Sequence, residues 1–443
     1  MRLVKLLCFA VPAVLALAGS ALGARDPGGS AVWPSGTAVV SYESEHALAA
    51  ALERHPAELV RRVPALKVAA VRPSGSVERF AQRIGAEPGI VRVERAAARR
   101  SLVEPALASL APALPFQWQY AAVRADQVPA TVAQAAAGFT IAVIDTGADL
   151  GAPDLGAKAP HTYSVRKRHA GVPDANGHGT FVAALAAGSS TNGDGIAGVG
   201  GDARLMVVQA GGANGAFTDV DEAAAIVYAV DHGAKIVNLS LGGPTTSSIE
   251  RRAVEYAVAK GALLVAAVGN GYQRGNAVEY PAALLQPVGS SGVGGRGLSV
   301  AASTREGGRA PFSSTGTHVS LAAPGAAVFS ALSAASSPLR YPRTALPGAL
   351  GGVYGYGSGT SFASPQVAGA AALVWAANPQ LRADQVASII EQTASGNGSW
   401  NAELGYGVLD VAAAVAKAQA TPVATVAAVM PAQVQKPGAR SPN

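Results

Sequence analysis

A chain of 443 residues that is 49% hydrophobic and only 14% charged can bury a large core, and that balance excludes disorder along its whole length. Its formal net charge of +6 resides in the first hundred residues, which carry 14 Lys and Arg against 8 Asp and Glu, whereas residues 101–443 carry 20 of each sign. A nucleic-acid binder keeps a basic patch on its working body, so this distribution argues against that class.

Taken from the N-terminus, Arg2 and Lys5 precede an apolar run from Leu6 to Ala18, and small residues follow to Ala24. This is the three-part pattern of a secretory signal peptide, predicted over residues 1–24. The run is short for a membrane anchor, so no stable anchor is expected. Cleavage between Ala21 and Arg25 would remove Cys8, the single cysteine, and leave an exported protein, extracellular or periplasmic, without a disulfide.

Residues 25–100 read as a small basic α+β unit. Strands are predicted at 37–42, 66–71 and 90–94, helices at 46–54 and 77–84, and the unit ends at Arg99-Arg100. An Ala/Leu/Pro-rich linker is predicted over 101–115. From 116 to 418 short apolar strands (139–145, 203–210, 234–240, 262–270, 298–303) alternate with helices such as 219–232 and 248–260. Continuous apolar strands separated by helices predict a three-layer α/β domain, a mostly parallel sheet with helices on both faces. Residues 419–443, rich in Pro, Ala, Val and Gln, have no helical or strand period and read as a disordered tail.

Three stretches carry chemistry. In IAVIDTGADL, Asp145 ends a buried strand, where a carboxylate is costly unless partnered. In NGHGTFVAALAAG, His178 stands between two glycines at the head of an apolar helix. In GYGSGTSFASPQVAG, Ser361 opens a helix, near backbone N–H groups that favour developing negative charge. Singly, these read equally well as a turn acid, a packing histidine and a helix cap. Together they supply a nucleophile, a base to take its proton and a carboxylate to hold the base in one tautomer. The G-x-S-x-G signature of the α/β-hydrolases is absent, since Ala363 takes its last glycine position.

The three ordered blocks resemble the catalytic blocks of the subtilisin-like serine proteases, the subtilases, over about residues 116–418. The resemblance implies a subtilisin-like fold and a serine endopeptidase in which Asp145, His178 and Ser361 form the triad. It implies that Asn270, in AAVGNG, donates to the oxyanion, and that Ser240-Leu241-Gly242-Gly243 pairs with an extended substrate. It also implies that residues 25–100 are a propeptide, acting as chaperone and intramolecular inhibitor. Partners are then peptide or protein substrates and the chain's own propeptide, with a monomer expected.

Departures from the family pattern add expectations. Glu279, in VEYPAA, falls where the family lines the pocket for the residue preceding the cut (P1). An acid there favours Arg or Lys, and an end at Arg99-Arg100 would seat Arg in that pocket during self-cleavage. Phe362 follows the nucleophile where many relatives carry Met, so that site offers no thioether to oxidants. Catalysis needs no cofactor. Structural calcium stays open: Asp154 matches a ligand position, Ala152 replaces the usual preceding His, and Asn192 and Asp194 lie in a polar loop. Rival readings are a catalytically silent peptide-binding protein on this fold and a processing protease with a narrow substrate.

Overall fold

The computed structural model describes residues 36–103, 116–346 and 351–422. The predicted signal peptide, most of the predicted linker and nearly all of the predicted tail lie outside the described residues. Among the described residues no helix is long and apolar enough to cross a membrane.

The N-terminal unit contains β1 (Ala38–Tyr42), α1 (Glu45–Arg54), β2 (Ala57–Val63), β3 (Val68–Pro73), α2 (Val77–Ile84) and β4 (Ile90–Arg95). Its strands form an antiparallel sheet in the order β2-β3-β1-β4. Ser44 and Ser76 cap the two helices, their hydroxyls accepting from the amides of Ala47 (3.1 Å) and Arg79 (3.3 Å). Strand periodicity divides the sheet's side chains between two cores. Val40, Tyr42 and Val71 pack with Leu48, Ala51, Phe80 and Ile84 of the helices. Val39, Val63, Val68 and Ala70, on the opposite face, join the core of the larger domain. After β4 the chain continues into β5 (Ala98–Ser101), which lies in the larger domain's cleft.

The larger domain runs through β6 (Thr140–Asp145), β7 (His161–Ser164), α3 (His178–Ala187), β8 (Arg204–Gln209), β9 (Ala216–Thr218), α4 (Asp219–Asp231), β10 (Ile236–Leu239), β11 (Leu241–Gly242), α5 (Ser248–Ala259), β12 (Leu263–Ala267), β13 (Leu298–Ser303), β14 (Leu321–Pro324) and α6 (Thr360–Ala377). Seven strands form one parallel sheet in the order β14-β13-β12-β10-β6-β8-β7. In β6, Ile141 and Val143 face the core that contains α3 and α6, while Ala142 and Ile144 face the core that contains α4 and α5. Burial on both faces is why β6 and its neighbours in the sheet read as unbroken apolar runs, unlike the polar edge strand β7. The three-layer α/β arrangement is therefore present, with the small α+β unit docked on α4 and α5.

Several strands escaped the sequence reading, among them β2, β5, β7, β9 and β14. In β2 the polar residues Glu58, Arg61 and Arg62 and a bulge between Leu59 and Arg61 break the alternation. In β5 the sequence ARRS has no apolar pattern, and its extended form comes from its neighbours on both sides.

Candidate active site

In an open parallel sheet, ligands bind beyond the carboxyl ends of the strands. Asp145 is the last residue of β6, His178 the first of α3, and Ser361 the second of α6; all three are fully buried. Asp145 Oδ1 lies 2.7 Å from His178 Nδ1 and also accepts from the Thr146 amide at 2.7 Å. This bond fixes the imidazole with Nε2 left over, and Nε2 makes no hydrogen bond among the described residues. The glycine after His178 has a steric role: a Cβ on Gly179 would strike the backbone of Gly147, so only glycine lets α3 press against the turn that follows Asp145.

A residue the sequence reading passed over holds this corner together. The Asp174 carboxylate accepts from Thr146 Oγ1 (2.8 Å), the Gly177 amide (2.9 Å), the Thr180 amide (2.8 Å) and Thr180 Oγ1 (2.6 Å). It satisfies first-turn donors of α3 and ties them to the turn after Asp145. The signal was an acid four residues before His178 and a threonine two after it.

Ser361 is positioned from behind. Pro365 lacks the N–H that would bond the Ser361 carbonyl in an unbroken helix. Ser240 Oγ donates to that carbonyl instead, at 2.8 Å. Ser240 Oγ accepts from Asn238 Nδ2 (2.9 Å), and Ser364 Oγ donates to Asn238 Oδ1 (2.7 Å), so a buried polar chain runs from β10 to α6. The Ser361 hydroxyl donates to the Ser240 carbonyl (2.9 Å) and accepts from the Leu102 amide (3.0 Å).

Asn270 turns its carbonyl inward, where Oδ1 accepts from the Thr360 amide (2.9 Å) and Thr360 Oγ1 (2.8 Å). Its Nδ2 is buried and makes no hydrogen bond among the described residues. A side chain on Gly359 would collide with the Leu102 carbonyl oxygen and crowd Asn270 Nδ2 and Val103 Cα. The Leu102 carbonyl and the unbonded Asn270 amide thus both lie close to the backbone at Gly359.

The segment 98–101 is the central strand of a three-stranded sheet, β11-β5-β9. Ser101 and Arg100 pair with Leu241 and Gly242 on one side, and Ala98, Arg99 and Arg100 with Thr218, Phe217 and Ala216 on the other. Ser240–Gly243 is one rim, and residues 216–218 form a second rim that the sequence reading did not single out. This register decides which residue meets Ser361. Arg100 was expected in the pocket beside it, but Leu102 sits there, buried to 1% exposure. Arg100 lies two residues upstream on the same face of the strand and reaches Glu279, Nη2 to Oε1 at 3.0 Å. Glu279 is itself buried. Burial pushes its pKa up, and the nearby Arg100 and Arg274 pull it down.

Phe362, fully buried, packs against His178 and Phe181 with ring centroids 5.7 and 4.1 Å apart. Enzyme treated with hydrogen peroxide is expected to keep its activity, whereas a Phe362→Met variant loses it with a sulfoxide at position 362 by mass spectrometry; rapid loss in the unaltered protein would contradict this.

Asp154 lies apart from these residues. Its Oδ1 accepts from the Ile196 amide (2.6 Å) and its Oδ2 from the Tyr354 hydroxyl (3.0 Å), and burial raises its pKa to about 6. Among the described residues no group of three or more His, Cys, Asp or Glu converges as a metal site. The loop beside Asp154 borders a cavity lined by Gln117, Asn192 and Asp194 among others; the side-chain oxygens of Asn192 and Asp194 are of the kind that bind a hard cation, whereas the Gln117 amide is already bonded to the Ala197 backbone.

The Subtilase family model matches residues 136–407, more than half of the chain. The chain belongs to the subtilase family. A second family model, the fervidolysin N-terminal prodomain, matches residues 24–96. This subtilase is 37% identical to a thermophilic serine proteinase of Bacillus sp. (strain AK1) over 61% of the chain and 60% of that protein. It is 34% identical to thermitase of Thermoactinomyces vulgaris over 59% of the chain and 84% of that protein. Its structure is similar to the crystal structure of fervidolysin from Fervidobacterium pennivorans, a keratinolytic enzyme related to subtilisin. The TM-score is 0.72 at 27% identity, covering 86% of this chain and 61% of that one. The chain thus carries a subtilisin-like serine peptidase domain behind a fervidolysin-like prodomain, and it spans 60% of the Bacillus proteinase's length.

Proposed function

We propose that this subtilase is a secreted serine endopeptidase, made as a zymogen that cuts itself between Leu102 and Val103. The observation that carries the reading is the backbone of Leu102 against the nucleophile: its amide donates to Ser361 Oγ at 3.0 Å, and its carbonyl oxygen lies over Gly359, close to which the unbonded Asn270 amide also lies. Ser361 attacks the Leu102 carbonyl carbon as His178 Nε2 takes its proton, and Asp145 steadies the imidazolium. Asn270 Nδ2 and the Ser361 amide donate to the oxyanion. His178 then returns the proton to the Val103 nitrogen, which leaves, and water hydrolyses the acyl-enzyme by the same route. Before the attack the hydroxyl must turn from the Ser240 carbonyl toward Nε2. Mass spectrometry of the secreted protein tests this: a new N-terminus at Val103 and loss of the predicted signal are expected, and a stable full-length chain would refute self-processing.

Glu279 gives the pocket beside Ser361 a preference for a basic P1 side chain. Its Oε2 is buried without a hydrogen bond, so a Leu at P1 leaves an acceptor unsatisfied that a Lys or Arg could meet. In self-processing Arg100 supplies the compensating charge from two residues upstream. In peptides without an arginine there, Lys or Arg at P1 is expected to raise kcat/KM about tenfold or more over Leu. The preference fades as pH falls, since burial makes Glu279 protonate at a higher pH than a free glutamate. An equal rate for Leu at neutral pH would remove Glu279 from this role.

A calcium ion in the loop beside Asp154 would act on stability alone. Added calcium is expected to raise the Tm and EDTA to lower it, with kcat unchanged well below both transitions. One Tm in both buffers would leave the loop without a bound ion.

A further inference from the structure

The mechanism makes no use of Arg99, yet Arg99 is among the most deeply buried charged residues described. Its side chain is fully shielded from solvent between α4 and α5. Nε lies 3.2 Å from a Glu222 carboxylate oxygen and donates to Glu250 Oε1 at 3.0 Å. Nη2 lies 2.6 Å from Glu250 Oε2, and Nη1 donates to the Ala98 carbonyl at 2.7 Å. Asp219, also buried, adds a third negative charge close by, and its amide donates to the Ala97 carbonyl at 3.0 Å. The planar guanidinium, which addresses two carboxylates and a carbonyl together, has no equivalent in lysine.

The three acids occupy the first turns of two helices, where the backbone favours negative charge. A lone first-turn acid is an ordinary helix feature and is solvated. These are sealed, and the group that neutralises them belongs to the segment that self-processing releases. Once Arg99 departs, Glu222 and Glu250 face each other in a site where burial already raises the pKa of Glu222 well above the usual range and that of Asp219 to about 6. The pocket is built for a cation that comes and goes with the strand in the cleft.

We propose that Asp219, Glu222 and Glu250 form a subsite specific for an arginine side chain three residues upstream of the residue seated beside Ser361. The proposal rests on the endopeptidase reading given above. It makes the enzyme a reader of arginine at a distance from the cut, with Arg99 of the prodomain as the first occupant. Substrates would then be extended segments that carry arginine at the fourth position before the scissile bond.

The test uses peptides of the sequence of residues 97–106 in which the residue at the position of Arg99 is Arg, Lys or Leu. With the self-processed enzyme, Arg is expected to exceed Leu in kcat/KM by at least about a hundredfold, with Lys between them. In a Glu222→Gln/Glu250→Gln variant the Arg-to-Leu ratio is expected to fall below about tenfold. A Leu peptide cut as fast as the Arg peptide by the unaltered enzyme would overturn the subsite. If no peptide is cut at all, the endopeptidase reading fails, and the subsite is judged without catalysis. In the full chain carrying Ser361→Ala, Arg99→Leu is expected to speed hydrogen exchange at amides 98–102 about tenfold or more. That increase should shrink when Glu222→Gln/Glu250→Gln is also present. Unchanged exchange on Arg99→Leu would overturn the subsite independently of activity.

Discussion

A chain carrying Ser361→Ala is expected to accumulate at full length, with the segment ending at Leu102 still covalently joined to the larger domain. The Ser361 hydroxyl is the nucleophile that touches the Leu102 backbone, and the scale of losing such a group is about six powers of ten in kcat. His178→Ala should cost nearly as much, because Ser361 then has no base, and the double variant little more, because the two act as a unit. Intact-mass analysis at several dilutions and labelling with a fluorophosphonate probe provide the readouts. Unimpaired processing of purified, dilute Ser361→Ala would show that another nucleophile or another protease makes the cut. A silent peptide-binding protein would fail to take the probe even in its processed, unaltered form.

The second large effect is expected at Asn270, where two substitutions separate two roles. Asn270→Asp keeps the Oδ1 acceptor for Thr360 but replaces the free amide donor with a carboxylate oxygen. Asn270→Leu removes both. If the amide serves the oxyanion, each variant loses about two to three powers of ten in kcat with little change in KM, because the bond forms only as charge develops. If Asn270 serves only to anchor the start of α6, Asn270→Asp should retain most of the activity while Asn270→Leu loses both activity and thermal stability. Steady-state kinetics and melting curves on both variants distinguish the outcomes.

Much of this fold is legible in the sequence because its signals are local. Five strands of the parallel sheet, β6, β8, β10, β12 and β13, are buried on both faces and stand out as apolar runs, and the helices between them carry their own caps, such as Ser247 before α5. Asp145, His178 and Ser361 are legible for a related reason, since each needs an unusual backbone setting that leaves glycines and helix starts around it. The illegible parts depend on partners far away in the chain. Nothing in Ala-Arg-Arg-Ser marks a strand, because its extended form is imposed by residues 216–218 and 241–242. Asp219, Glu222 and Glu250 look like first-turn helix acids until the fold brings them around Arg99. The register that seats Leu102 rather than Arg100 beside Ser361 is equally a matter of tertiary pairing, invisible to a reading that stopped at the basic pair.

The place of residues 98–101 between two rims also sets a threshold that precedes any choice of side chain. A backbone gripped along both edges must arrive with both edges bare, so a segment already bonded within a helix or sheet has to come loose over several residues before it can enter. The free energy of that local opening varies widely across a folded protein, from nearly nothing at frayed ends and mobile loops to the full unfolding cost in a core. On the proposed endopeptidase reading, such a cleft would act as a gauge of local order in its victims: damaged or partly unfolded chains would be cut quickly, while intact neighbours carrying the same residues would be spared.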